Sequence, residues 1–222
     1  MPPITKSLVL ALALTSCASV SVERGTEVAT EKMPELVVVA SFGAPNSVFA
    51  VDRTGKELAD FKANLQLMLQ TGIVTDLTDR LVPAAEMNPK VTKRGNVWIL
   101  RGDFVTVNQG SRLLRGAIGF GAGGTKVETR VRVFHPGNET PFLTFATTGG
   151  SGAEPGAILA FTTDPLEIAI GAVSGAAHGL SEDTKRTARM ITAELSDYMH
   201  NRGWIPESKW IKPKRLSGGD VW

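Results

Sequence analysis

The residues of this chain that could do chemistry are few, and their spacing keeps them apart. His135, His178 and His200 are its three histidines, and no two stand at i, i+4, so no helix face gathers two imidazoles around a metal. A single cysteine, Cys17, excludes an internal disulfide framework and a multi-thiolate zinc site. Neither a G-x-S-x-G elbow nor an H-E-x-x-H pair occurs. Asp183 and His200 fall on one expected helix, but seventeen helical residues cover about 25 Å at ~1.5 Å each, too far for a catalytic pair. Gly119-Phe120-Gly121-Ala122-Gly123-Gly124 satisfies G-x-G-x-x-G, yet the segment after it alternates like a strand. Pyrophosphate binding needs a helix opening at the last glycine, so a glycine connection between strands is the simpler meaning. No catalytic residue, metal or cofactor is assigned, and the expectation is a protein that is not an enzyme. Residues distant in sequence that converge in space are the alternative.

Cys17 is placed where a thiol can be modified. Ahead of it Lys6 supplies a positive charge, residues 8–14 (LVLALAL) form an unbroken apolar run, and Thr15 and Ser16 follow. A run this short cannot cross a ~30 Å hydrocarbon layer, which takes about 20 apolar residues, so residues 1–16 are expected to be a cleaved signal peptide. Leu14-Thr15-Ser16-Cys17 resembles the bacterial lipobox. That resemblance implies cleavage before Cys17, diacylglycerol on its sulfur and an acyl chain (palmitate, for example) on its new amino group. Two or more chains hold a protein at a membrane stably, whereas one holds it marginally. Ala18 and Ser19 follow with no aspartate, which by analogy with enteric sorting implies the outer membrane. The alternative is a soluble secretory leader with an incidental cysteine.

Gly171, Gly175 and Gly179, spaced by four, would put three bare patches on one helix face. They are candidates for an oligomer or membrane contact; the plainer alternative is close packing on the domain's own sheet. Arg112 and Arg115 are read as loop or sheet-edge cations, with a phosphate or lipid head-group contact as the alternative.

These residues need a scaffold, and the composition allows one. With 42% hydrophobic and 21% charged residues among 222, the chain can bury a core and is not a disordered one. Lys+Arg 24 against Asp+Glu 22 gives +2, so no nucleic-acid partner is expected. Residues 35–42 form a β-branched run expected as a strand. Leu58, Phe61, Leu65, Met68 and Leu69 lie on one helical face over residues 56–70, with Gly72 as the residue after the helix end and helical structure over 73–86 broken near Pro83. Residues 97–107 are a second strand. Residues 125–134 alternate, with Val127, Thr129, Val131 and Val133 on one side and Lys126, Glu128, Arg130 and Arg132 on the other. His135-Pro136-Gly137-Asn138 makes a turn into a hairpin partner over 142–148. Ser181 is expected to cap a last helix reaching Arg202, with Ala188, Ile191, Leu195 and Met199 as its apolar stripe and Gly203 as its stop.

The expected fold is α+β, a single domain of β-α-β-β-β-α order whose helices pack on a mainly antiparallel sheet. Its parts are a signal peptide (1–16), a lipidated tether (17–34) with no sustained period, an α+β periplasmic domain (35–203) and a Trp/Lys/Pro-containing C-terminal tail (204–222).

Within residues 104–134 a strand is followed by Gly110-Ser111-Arg112-Leu113-Leu114-Arg115, by Ile118-Gly119-Phe120-Gly121-Ala122-Gly123 and by the alternating strand. This order resembles the lipoprotein family called domain of unknown function 4410. The likeness spans roughly residues 35–203 and includes the late helix with Asp183, Arg186, Ala188 and Ile191. It implies an exported bacterial lipoprotein and supplies no reaction. The plan is more loosely similar to the curli secretion-channel lipoprotein, which also sets a Gly-rich insert before an alternating strand. That similarity implies assembly through a periplasmic domain, although residues 108–124 lack the ~10-residue strand pair of a membrane channel.

The function expected is a non-enzymatic lipoprotein of the cell envelope, anchored in the outer membrane through Cys17. Its domain would face the periplasm and bind or scaffold an envelope protein partner. A self-associating subunit of an outer-membrane pore or secretion accessory is the alternative, with a small-ligand binder behind both.

Overall fold

The structure is a computed structural model that describes residues 19–29, 32–88, 95–110, 124–150 and 175–215. In chain order its elements are β1 (Ser19–Glu27), β2 (Leu36–Val39), β3 (Val48–Ala50), α1 (Gly55–Arg80), β4 (Ala84–Glu86), β5 (Val97–Asn108), β6 (Lys126–Phe134), β7 (Leu143–Gly150) and α2 (Gly175–His200), with a short 3-10 turn at Glu207–Lys209.

The strands obey the two-residue period wherever one face meets the core. β6 buries Val127, Thr129, Val131 and Val133 and turns Lys126 and Arg130 to solvent. Gly137, at a φ of +81°, closes the turn into β7. The strand order is β1-β7-β6-β5-β2-β4, with β3 also paired to β5. β1, β7, β6 and β5 are antiparallel neighbours, whereas β5–β2, β2–β4 and β3–β5 are parallel. The fold is α+β in one domain, as expected, but the sheet is mixed rather than mainly antiparallel. Part of the reason is α1: a 26-residue helix between β3 and β4 returns the chain to the end where β2 began, so β4 runs parallel to β2.

Both helices lie on one face of the sheet. Leu65, Leu69, Ile73 and Leu77 of α1 and Ala188, Ile191, Leu195 and Met199 of α2 share one core with Val22, Val37, Val39, Leu100, Val131 and Phe145 of the strands. The predicted stripe of α2 is therefore the buried one. Gly72 does not end α1, which continues unbroken to Arg80 before Pro83. It lies where the helices approach, and a Cβ there would stand 3.2 Å from that of Ala188. Ser181 is likewise interior to α2 rather than its cap. Gly203, at a φ of +70°, does mark its end.

The ends of the chain differ most from expectation. Residues 19–27, assigned above to a tether, form β1, paired to β7 from Ser19↔Gly150 through Glu27↔Leu143. Residues 204–215, assigned to a tail, are built onto the domain, with Ile205 5% exposed and Val22 bridged to Arg215.

Candidate functional site: the strand that follows Cys17

β1 begins two residues after Cys17, so its hold on the domain decides what an anchor there would carry. Val20 and Val22 point into the core at 3% and 1% exposure. Gly149, opposite Val20, leaves the space its side chain fills; a Cβ on Gly149 would collide with it. The N–H of Val22 donates to the carbonyl of Lys214 at 2.7 Å, on the edge of β1 away from β7.

Arg24 then reaches the polar side of α2. Its Nε donates to Glu194, its Nη2 to Asp197 at 2.8 Å and its Nη1 to Glu27 at 2.6 Å. Arg215, from the C-terminal segment, meets the same pair, donating to Glu194 at 2.6 Å and to Asp197 at 2.7 Å. Each oxygen of the fully buried Glu194 carboxylate thus holds one guanidinium. Arg202 adds a bond to Glu27 at 3.0 Å, and the indole of Trp210 donates to Asp197 at 3.0 Å. Three arginines balance three carboxylates. Buried charges persist only when paired and hydrogen-bonded in this way.

The local electrostatics follow. Burial opposes the charge on Arg24, but its hydrogen bond and attraction to Glu194, with the pull of Glu27, prevail and raise its pKa. Burial also opposes ionisation of Glu27, and the bonds and attraction of Arg202 and Arg24 outweigh it, lowering the pKa of that carboxyl. Both shifts favour the charged forms of Arg24 and Glu27 at neutral pH. The cluster joins the first strand, the last helix and the C-terminal segment into one unit.

The remaining candidates are not gathered here. His135 stacks on Phe142 in the turn after β6, 4.7 Å between ring centroids, and makes no bond to the cluster among those described. His200 stacks on Trp210 and bonds Glu207 at 2.9 Å. Asp183 accepts a hydrogen bond from Thr125 at 2.5 Å, well away from His200 along α2. Gly175 and Gly179 fall in the first turns of α2, one turn apart. Cys17, Gly171, Arg112, Arg115, Gly119, Gly121 and Gly123 lie outside the described residues, as do residues 1–16, expected above as a signal peptide. Among the described residues no group of three or more His, Cys, Asp or Glu is placed to hold a metal, and no helix is long and apolar enough to cross a membrane.

The fold and this clamp define a class: a two-layer α+β domain with one face of its sheet under two helices and its first strand tied into the last helix. Within that class the chain belongs to the family described as Domain of unknown function (DUF4410), whose model matches residues 35–172. Solved structures are similar to the chain at low identity. PelC from Paraburkholderia phytofirmans, described as a dodecamer, is 10% identical over 75% of this chain and 96% of its own, with a TM-score of 0.34. A Xanthomonas campestris protein of the DUF330 family is 11% identical over 85% and 98%, with a TM-score of 0.46. A putative neuraminyllactose-binding hemagglutinin homolog from Helicobacter pylori is 11% identical over 80% and 96%, with a TM-score of 0.41. No curated protein matches.

Proposed function

We propose that this chain is a non-enzymatic lipoprotein of the bacterial cell envelope. Acylated Cys17 holds it at the outer membrane, and its α+β domain is presented to the periplasm, where it binds or scaffolds an envelope protein. The observation that carries this reading is the junction at residues 17–19. The one cysteine of the chain ends a lipobox-like run, and the sheet begins two residues later. Acyl chains on Cys17 would hold the whole domain through two residues of backbone, a strand and a buried ion cluster, with no spanning helix.

Metabolic labelling with radiolabelled palmitate tests the anchor. The wild-type chain is expected to take up label and float with membranes, and Cys17→Ser to lose both. Label retained in Cys17→Ser overturns the reading. Crosslinking in intact membranes, followed by mass spectrometry, identifies the partner; its absence across several crosslinker lengths would leave the scaffold role unsupported.

A further inference from the structure

The segment after the 3-10 turn runs along α2 towards β1, and its side chains alternate. Pro213 is buried while Lys212 and Lys214 on either side are exposed. Trp210, two residues before Lys212, is half-buried, and the Lys212 ammonium lies 6.0 Å from its ring centroid. Lys209 is also exposed. None of the three lysines has an ion-pair partner among the described residues, whereas neighbouring Arg215 is taken up by Glu194 and Asp197. The segment is fixed in place: Ser196 Oγ accepts from the Ile211 N–H at 2.8 Å, and Lys214 reaches β1 through its carbonyl at Val22. Val22 is five residues from Cys17, about 17 Å of extended chain at ~3.3 Å per residue.

We propose that Lys209, Lys212 and Lys214, with the exposed part of Trp210, form a second membrane contact that binds the phosphates of anionic phospholipids beside the anchor. It rests on the anchor reading above. The chemistry is that of an interfacial patch: ammonium groups with no ion-pair partner among the described residues attract a negative head-group layer, and the exposed part of the Trp210 ring, whose Nε1–H is held by Asp197, offers apolar surface beside them. Rigid backbone placement gives it an effect a free tail would not have. The edge made by β1, α2 and the C-terminal segment faces the lipid, and the turn at residues 135–138 stands off the membrane.

The test uses the full-length chain, processed and acylated in cells, then reconstituted in vesicles of pure phosphatidylcholine or with phosphatidylglycerol added. Because acylation occupies its one cysteine, Ser208→Cys and Glu139→Cys each provide a single labelling site. The expected result is quenching of a label at residue 208 by a head-group quencher in the anionic vesicles only. The label at 139 stays unquenched, and a variant carrying Lys209→Gln, Lys212→Gln and Lys214→Gln loses the effect while still floating with vesicles. The three substitutions should weaken this contact at least tenfold. Equal quenching at both sites, equal quenching in neutral vesicles, or an unchanged triple variant overturns the proposal. Failure of the chain to float at all would instead overturn the anchor reading.

Discussion

Glu194 is the residue on which the ends of the chain depend. Its side chain is fully enclosed and each carboxylate oxygen takes one arginine, so Glu194→Gln removes one charge and leaves two guanidinium groups short of a partner. Breaking a buried pair costs about 3–5 kcal/mol. Here Arg24 is 19% and Arg215 40% exposed, so water compensates in part and about 2–3 kcal/mol is expected, read from urea unfolding. Acid should loosen the same cluster. Glu27 has a folded pKa below its ordinary 4.5, and so has Glu128, where burial is outweighed by bonds from Lys126 and Thr106. Their stabilisation is present above pH 4.5 and is lost as pH falls through the lowered folded values. Asp76 has the opposite sign. Burial, opposed by Arg80 and Arg189, raises its pKa, so the stability it contributes below pH 3.8 is lost as pH rises through the folded value. Glu27→Gln should flatten the acid side of the stability curve, and Asp76→Asn should raise stability at pH 7 with no gain at pH 3. A Glu27→Gln protein with an unchanged acid decline would show that the cluster does not titrate as described.

At the scale of elements, two glycines separate space from backbone. Gly72→Leu would force a branched side chain between α1 and α2 where only 3.2 Å is left beyond a Cβ, and overpacking of that kind costs about 1–3 kcal/mol. Gly203 has nothing within 4 Å but a φ of +70°, so Gly203→Ala should cost about 1 kcal/mol through the backbone alone, and Gly203→Asn less. A Gly72→Leu protein that unfolds thermally at the wild-type midpoint would deny the helix contact. Gly72 also shows why the sequence misleads locally. A glycine after an apolar stripe signals a helix end when considered by itself, and only the crossing with Ala188 shows that it is there for closeness. β6 was legible because it buries one face with a clean period, and the stripe of α2 because its apolar residues recur at helical spacing, although residues 191–199 are buried on every side. β3 and β4, three residues each, are too short for a period. β1 did carry a signal in the alternation Ser19-Val20-Ser21-Val22-Glu23, obscured by the polar residues after it. Nothing local marks Arg24 as the partner of Glu194, because 170 residues separate them.

For the whole molecule, the consequence is where the domain begins. A boundary at residue 35 treats everything before it as a leash, on which a lipid anchor would let the domain drift. With β1 in the sheet, the described domain begins at residue 19, and the proposed anchor would attach to its edge. The two boundaries predict different proteins. A chain beginning at Glu35 loses Val20 and Val22, each worth about 1.5–3 kcal/mol when fully buried. It also exposes the pairing edge of β7, and it leaves Glu194 with Arg215 alone. Against a total stability of about 5–15 kcal/mol, such losses should lower the urea midpoint substantially and promote association through the bared strand. A chain beginning at Ser19 should retain the full midpoint and remain dispersed. Matching midpoints for the two would make β1 an accessory. A large difference would mean that a pull at the start of β1 passes directly into the ion cluster and α2, so that a lipid on Cys17 would fix the orientation of the domain as well as its location.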